Sequence, residues 1–259
     1  MAKVVIVTDS TANFPVGAVN GLSIHTLPLQ VIWDDHIYLD GVDIQPDEFY
    51  TRLNNSKTMP STSQTTPHVF KETYAKLLDE DCEIFSIHIS SRLSGTLDSA
   101  AQAKKEFPGA KIELFDSEST SMGLGFQAMA VARAAQQGAS LAECLSIAER
   151  ARNNTGVLFV VNTLEFLHRG GRIGEAAAFL GNVFNLKPIL GLKEGKIEAL
   201  DKVRTKSKAV HKLIDLLEKQ IEGHAGLRIG VLHANASTEA DILLERIKNR
   251  WGKIKLSRL

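Results

Sequence analysis

Residues 3–10 of the chain read KVVIVTDS, with four β-branched apolar residues in succession. An unbroken run of this kind is typical of a strand that is buried on both faces of a parallel sheet. Comparable runs recur at Glu83–Ile89 and Lys111–Phe115, and each is followed by a longer segment with apolar residues three and four apart. Short strands that alternate with helices predict an α/β fold built on a parallel sheet.

The predicted helices have recognisable starts. Pro67 fits the first turn of a helix, because a proline there loses no helical hydrogen bond. Ser140 is followed three residues later by Glu143, which is the capping-box spacing. The helices predicted in this part of the chain are Pro67–Leu78, Gly95–Phe107, Met122–Gln137 and Ser140–Asn153.

Two stretches depart from this pattern and predict a division into domains. Ser23–Gly41 alternates imperfectly around Asp34-Asp35, which predicts a hairpin and hence a small β insert at about 23–41. Residues 1–155 are therefore predicted to form a three-layer α/β/α domain with a parallel sheet and this insert. Residues 156–259 are predicted to form an α/β domain with a mixed sheet. Its predicted elements are a strand at 156–162, helical pieces at 163–169 and Glu175–Phe184, strands at Leu186–Lys193 and Lys196–Arg204 joined by a Glu194-Gly195 turn, then a helix, a strand, a helix and a terminal strand.

Composition argues against several classes of function. Thirty basic and thirty acidic residues give a formal net charge of zero, so no global field favours nucleic acid or an anionic membrane surface. No window approaches the length of a membrane span, and the N-terminus MAKVVIVTDS has too few apolar residues for a signal-peptide core. Cys82 and Cys144 lie far apart beside apolar neighbours. These features predict a cytoplasmic protein with buried, reduced thiols and no integral membrane segment.

Hydroxyl side chains crowd the loops that follow the predicted strands. Ligands of open parallel sheets bind at the carboxyl ends of the strands, beside helix N-termini with unpaired N–H groups. Such loops suit an anionic head group, and Ser94, Gly95 and Thr96 are the sharpest candidates. The alternative is that Ser94 only caps the helix that follows it. The polar loops are TDSTANFP at 8–15, STSQTT at 61–66, HISSRLSGT at 88–96 and FDSESTSMGLG at 115–125.

Other chemistries fit the sequence less well. The Asp9-Ser10-Thr11 loop lacks the second aspartate of an aspartyl-phosphate phosphatase, and no serine lies in a G-x-S-x-G elbow. The histidines show no ligand spacing, so neither a metal nor a cofactor is expected, and His88 is expected in a core or strand-end position. Arg169 and Arg172 flank a glycine pair at a helix end, where cations ordinarily stabilise the helix dipole.

Taken together, the loops show a family resemblance. TDSTANFP, MPSTSQTT, SSRLSGT, FDSESTSMGLG and NTLEFLHRGGRIG follow one another in the order and spacing of the DegV family, and the match covers most of the chain. The DegV family resembles the fatty-acid-binding subunit of bacterial fatty acid kinase. The resemblance implies a two-domain α/β carrier without catalysis of its own. The carrier encloses one long-chain fatty acid, such as palmitate, in a tunnel between the domains.

The resemblance also implies roles for particular residues. It assigns the fatty-acid carboxylate to the hydroxyls of Thr62 and Ser94. Other residues are candidates because they neighbour these two or lie in the first strand-end loop: Ser63, Gly95, Thr96, Asp9 and Ser10. In the kinase system a separate ATP-dependent subunit phosphorylates the carboxylate, and the candidates to face an acyl phosphate or that subunit are Arg169, Arg172 and Arg204.

The sequence departs from the family pattern in two places. Thr65 and Thr66 stand where the family usually has proline and serine. The chain stops at KIKLSRL, so no residue is assigned the role of a histidine that family members commonly carry in a C-terminal glycine- and proline-rich segment. One alternative to this carrier is a phosphotransferase component or hydrolase that acts on a small polar substrate in the same crevice. Another is a binding module for a different apolar or phosphorylated ligand, without a kinase partner.

Overall fold

The computed structural model describes residues 3–179, 186–251 and 255–258. The chain divides into two compact units, residues 1–155 and residues 156–259. The strands of the first unit are β1 Lys3–Asp9, β2 Ile24–Leu27, β3 Gln30–Trp33, β4 His36–Leu39, β5 Ser61–Ser63, β6 Cys82–His88 and β7 Ile112–Asp116. Its helices are α1 Pro46–Asn55, α2 Pro67–Asp79, α3 Thr96–Lys104, α4 Ser121–Gln136 and α5 Leu141–Asn153.

The main sheet of the first unit is parallel and has the order β2-β1-β6-β7. Side chains of β1 point alternately to its two faces, as the pleat of a strand requires. Val4 and Ile6 pack with residues of α4 and α5, whereas Val5 and Val7 pack with residues of α2 and α3. The unbroken apolar run of β1 therefore serves two cores, and the predicted three-layer α/β/α arrangement is present.

The β insert differs from its prediction at both ends. β2 pairs in parallel with β1 and forms an edge of the main sheet, so the hairpin begins only with β3. β3 and β4 are antiparallel, with Asp34 at φ 54° in the turn between them. The third strand of this small sheet is β5, which comes from the hydroxyl-rich stretch before α2. Trp33 is fully buried in the separate core of the insert.

Helix starts follow the sequence signals. Ser140 and Glu143 form the predicted capping box at the start of α5. Thr66 caps α2, with its side chain accepting a hydrogen bond from the N–H of Val69, and Pro67 occupies the first turn. These local bonds fix where the chain turns from loop into helix.

Gly125 of α4 lies against the loop that follows β1. A Cβ at this position would be 2.8 Å from the carbonyl oxygen of Ala12 and 2.9 Å from Sδ of Met122. We expect Gly125→Ala to lower the free energy of unfolding by about 1–2 kcal/mol, because overpacking outweighs the better helix propensity of alanine. Urea unfolding measures the change. Ala130→Gly in the same helix measures the difference in helix propensity between alanine and glycine. If Gly125→Ala increased the free energy of unfolding, the packing argument would be wrong.

The described residues of the second unit form two sheets. The strands β10-β9-β8 form an antiparallel sheet, and β11 and β12 pair in parallel, so the predicted mixed sheet is divided in two. Glu194 and Gly195 form the predicted tight turn, both with positive φ. The elements are β8 Leu158–Val160, α6 Glu165–Arg169, a 3₁₀ helix Gly174–Phe179, β9 Lys187–Lys193, β10 Lys196–Val203, α7 Lys206–Ile221, β11 Arg228–Val231, α8 Ser237–Trp251 and β12 Lys255–Arg258. The predicted helical piece Glu175–Phe184 lies partly outside the described residues. Within the described residues, no helix combines the length and apolar character needed to cross a bilayer.

Candidate functional site

Three hydroxyl-rich loops, which follow β1, β6 and β7, meet at the edge of the main sheet formed by the carboxyl ends of its parallel strands. Hydrogen bonds tie these loops to one another and to the loop after β2. The N–H of Ser90, after β6, donates to the carbonyl of Ser119, after β7, at 2.8 Å. The N–H of Leu29, after β2, donates to Oγ of Ser10, after β1, at 3.1 Å. This edge is the candidate site of the first unit.

Asp9 anchors the base of this edge from the end of β1. Its carboxylate is fully buried and accepts hydrogen bonds from the N–H of Thr11, the N–H of Ile89 and Nδ1 of His88, at 3.0–3.1 Å. The Thr11 hydroxyl donates to the same carboxylate. Asp9 therefore joins the loop after β1 to the end of β6, and its oxygens are used inside the protein.

The surroundings of Asp9 favour its charged form. Burial by itself would raise the pKa of the Asp9 carboxyl, but the hydrogen bond and charge of His88 oppose this, together with the bonds from Thr11 and Ile89. Their combined effect holds the pKa of Asp9 below its usual range. A carboxylate at this position is stable because the protein supplies all the donors that water would otherwise supply.

His88 continues a buried chain of hydrogen bonds. Its Nε2 atom lies 2.7 Å from Oγ of Ser86, which in turn lies 2.6 Å from the Tyr74 hydroxyl. The order Ser86, His88, Asp9 matches the contacts of a hydrolase triad, but all three side chains are fully buried and Tyr74 is already hydrogen-bonded to Ser86 Oγ. A substrate has no access to Ser86, so this chain is structural. The expected core position of His88 is confirmed.

Ser10 is also committed to holding the loops. Its hydroxyl donates to Oδ2 of Asp40 at 2.6 Å while accepting from the N–H of Leu29. Asp40 follows β4, so Ser10 links the main sheet to the insert. Asp9 and Ser10, which were candidates for ligand contact, support the edge of the sheet in this structure.

The stretch MPSTSQTTP at 59–67 contains a strand that the sequence did not indicate. Thr62 is exposed in β5, opposite Val31 of β3, and half-buried Ser63 lies opposite Gln30. Thr65 is buried and its hydroxyl donates to the carbonyl of Pro28 at 2.9 Å. The loop is thus fixed on both sides of Gln64, to β3 of the insert before it and to the connection between β2 and β3 after it.

The Ser94 loop leads into α3. Oγ of half-buried Ser94 lies 2.9 Å from Oγ1 of buried Thr96 and accepts from the Thr96 N–H at 3.3 Å. Gly95 occupies the N-cap position of α3 with φ −78° and ψ 12°, and it has no side chain to cap the helix. Ser94 is therefore not the N-cap residue, contrary to the alternative interpretation; its hydroxyl makes a local bond within the loop, which lies at the sheet edge beside the other hydroxyls.

Gln64 brings the two central loops together. Its side chain lies over Gly95, with Nε2 3.0 Å and Cδ 3.4 Å from the position that a Cβ on Gly95 would take. Since the two residues are 31 positions apart, no local pattern could indicate the contact. The T-S-Q and L-S-G-T motifs are therefore neighbours in space, as the family resemblance implied.

The arginines predicted to meet a phosphate or a partner lie in the second unit. Arg169 is exposed at the end of α6 and forms an ion pair with Glu165 at 2.7 Å. Exposed Arg172 donates to the carbonyl of Gly170 at 2.6 Å, and Arg204 is exposed directly after β10. In the part of the chain that the structure describes, no three His, Cys, Asp or Glu side chains form a metal-binding cluster.

Comparison with known proteins places this arrangement in a family. A family model described as "Uncharacterised protein, DegV family" matches residues 3–259. The chain belongs to the DegV family. A DegV domain-containing protein of Streptomyces coelicolor is 37% identical over 248 residues, which are 95% of this chain and 87% of the relative. Protein DegV of Bacillus subtilis is 31% identical over 254 residues, which are 98% of this chain and 90% of the relative.

Solved DegV structures share the fold. One is described as "Fatty Acid Binding of a DegV family Protein from Thermus thermophilus"; it has a TM-score of 0.89 and 34% identity, covering 99% of this chain and 92% of that one. Another, from Bacillus subtilis, is described as DegV, a fatty acid binding protein; it has a TM-score of 0.91 and 30% identity, covering 100% and 92%. The predicted family and α/β fold class are confirmed.

Proposed function

We propose that this chain binds one long-chain fatty acid, such as palmitate, without catalysing a reaction and without a cofactor. The observation that carries the proposal is the 34% identity and TM-score of 0.89 to a Thermus thermophilus DegV protein described by its fatty acid binding. The sheet edge adds a chemical reason, because its hydroxyls and the N-terminus of α3 provide donors for a carboxylate.

The proposed carboxylate ligands are the hydroxyls of Thr62 and Ser94. Thr62 is exposed and Ser94 is half-buried. The contact of Gln64 with Gly95 brings the loops that carry them together. Ser63, Gly95 and Thr96 are proposed to support this site from the neighbouring positions. Asp9 and Ser10 contribute by fixing the loops through the bonds described above.

Most of the affinity is expected to come from the acyl tail. A palmitate tail has about fifteen apolar carbons, and burial at about 0.8 kcal/mol each is worth roughly 12 kcal/mol before costs. Association and ordering take back several kcal/mol. The head group then needs only a satisfied set of hydrogen bonds, which neutral hydroxyls supply. A carboxylate held without an ion pair also stays accessible to chemistry by another protein.

That other protein is proposed to be a separate ATP-dependent fatty acid kinase subunit in the cytoplasm. Exposed Arg169, Arg172 and Arg204 are the proposed contacts for this partner or for an acyl phosphate. Guanidinium groups suit this role because their planar donors match phosphate oxygens.

The test is palmitate binding by the delipidated protein and by a Thr62→Ala, Ser94→Ala double variant. We expect the double variant to bind about a hundredfold more weakly, since each hydrogen bond to a charged group is worth about 1.5 kcal/mol. Ser61→Ala, in the same strand, is the control and should bind like the unchanged protein. Equal affinity of the double variant would remove the assigned head-group site, and lack of palmitate binding by the unchanged protein would overturn the function.

A further inference from the structure

Gln64 lies between two residues that are each bonded to another segment of the chain. Ser63 before it pairs with Gln30 in the insert, and the hydroxyl of buried Thr65 after it donates to the carbonyl of Pro28. The residues immediately before and after Gln64 are therefore both anchored. This constraint limits the directions in which the side chain can extend, although the side chain itself is exposed.

The carboxamide of Gln64 lies directly over the backbone of Gly95. Nε2, Cδ and Oε1 are 3.0, 3.4 and 3.7 Å from the site of a Cβ on Gly95. A Cβ there would force the carboxamide to shift by a few tenths of an ångström from this position. The backbone of Gly95, at φ −78° and ψ 12°, is open to every residue type, so conformation does not require glycine at this position.

The polar atoms of this carboxamide are not committed to the protein. Among the described residues, none forms a hydrogen bond with the Gln64 side chain. The amide has two N–H donors and one acceptor, and it carries no charge. It is held one residue after Ser94, at the start of α3, where the first backbone N–H groups have no helical partner.

We propose that Gln64 is a third head-group residue, whose Nε2 donates a hydrogen bond to the fatty-acid carboxylate held by Thr62 and Ser94. Gly95 is then needed to leave room for the carboxamide. This inference rests on the proposed function. A donor from Gln64 would make the site selective for an ionised acid, because a carboxylate only accepts hydrogen bonds and an N–H of the carboxamide can be directed at one of its lone pairs.

The test is a double-mutant cycle with palmitate as the probe. We expect Gln64→Ala and Gly95→Ala each to weaken palmitate binding about tenfold. The combined variant should bind no more weakly than either single one, because both changes remove the same hydrogen bond. Gln137→Ala, at the exposed end of α4, is the control and should leave affinity unchanged.

A second ligand separates head-group recognition from loss of fold. Gln64→Glu places a negative charge beside the carboxylate, so palmitate binding should fall more than in Gln64→Ala, while hexadecan-1-ol should bind within about threefold of its affinity for the unchanged protein. Equal losses for acid and alcohol would overturn the inference, as would additive effects of Gln64→Ala and Gly95→Ala. If Thr62→Ala with Ser94→Ala weakens palmitate binding and Gln64→Ala does not, the inference fails and the proposed function stands.

Discussion

Asp9→Ala is expected to lower the free energy of unfolding by about 3–5 kcal/mol, because it removes one member of a buried, hydrogen-bonded charge network. The substitution leaves the N–H of Ile89 and Nδ1 of His88 buried without their acceptor. Urea unfolding at neutral pH, followed by circular dichroism, measures the loss. The comparison variant is Asp116→Ala at the end of β7. Its half-buried carboxylate accepts from the N–H and hydroxyl of exposed Ser91 and from the N–H of Glu118, and because water can replace it there, the loss should be about 1–2 kcal/mol.

The same network has a defined pH dependence. The pKa of Asp9 is lowered in the folded protein from an ordinary value of 3.8. Its contribution to stability is therefore complete above about pH 4 and is lost as the pH falls through the folded-state pKa. The difference in stability between the unchanged protein and Asp9→Asn should shrink below pH 4. If the stability difference between the unchanged protein and Asp9→Asn stayed constant between pH 7 and pH 3, the charge of Asp9 would be unimportant for stability. If Asp9→Ala lowered the free energy of unfolding no more than Asp116→Ala, the buried network would not have the expected importance.

Gly174→Ala is expected to cost about 3–4 kcal/mol in the stability of the second unit. Gly174 has φ +53°, and a Cβ there would lie 2.5 Å from the carbonyl oxygen of Ile197 in β10. An L-residue pays about 1–2 kcal/mol for left-handed backbone, and collision with a backbone atom adds to this, because a strand cannot move aside as a flexible side chain can. Differential scanning calorimetry would show the change in the transition of this unit.

Gly171→Ala is the matched control for this prediction. Gly171 has φ +72° but nothing within 4 Å of its Cβ position, so only the conformational cost of about 1–2 kcal/mol remains. The difference between the two variants isolates the contact with β10. Equal costs for both would mean that Gly174 is required for its backbone angle alone.

Local signals in the sequence located most of the first unit. The apolar run of β1, Pro67 at the start of α2, and the Ser140 and Glu143 capping box each depend on residues within a few positions of one another. Such signals mark where an element begins, and the family motifs identified the loops that meet at the sheet edge. They carry no information on pairing, since the partner of a strand lies elsewhere in the chain.

The features that the sequence missed are long-range contacts. β5 consists of Ser-Thr-Ser, which has no apolar residue to mark a half-buried strand, and it pairs with β3, which supplies its hydrogen bonds. β2 was assigned to the insert because an edge strand with two exposed residues lacks the unbroken apolar run of its neighbours. His88 and Asp9 are 79 positions apart, and Gln64 and Gly95 are 31 apart, so only folding brings either pair together.

The pairing of β3 with β5 gives the protein an optical reporter. Trp33 ends β3, is fully buried, and has the Arg52 guanidinium 4.4 Å from the centre of its ring. The chain has two tryptophans, and the other is Trp251 in the second unit. With Trp251→Phe, the emission of Trp33 follows the insert alone. Because Thr62 lies in the adjacent strand, we expect a ligand at the proposed head-group site to change the polarity and rigidity around this single fluorophore, which needs no label.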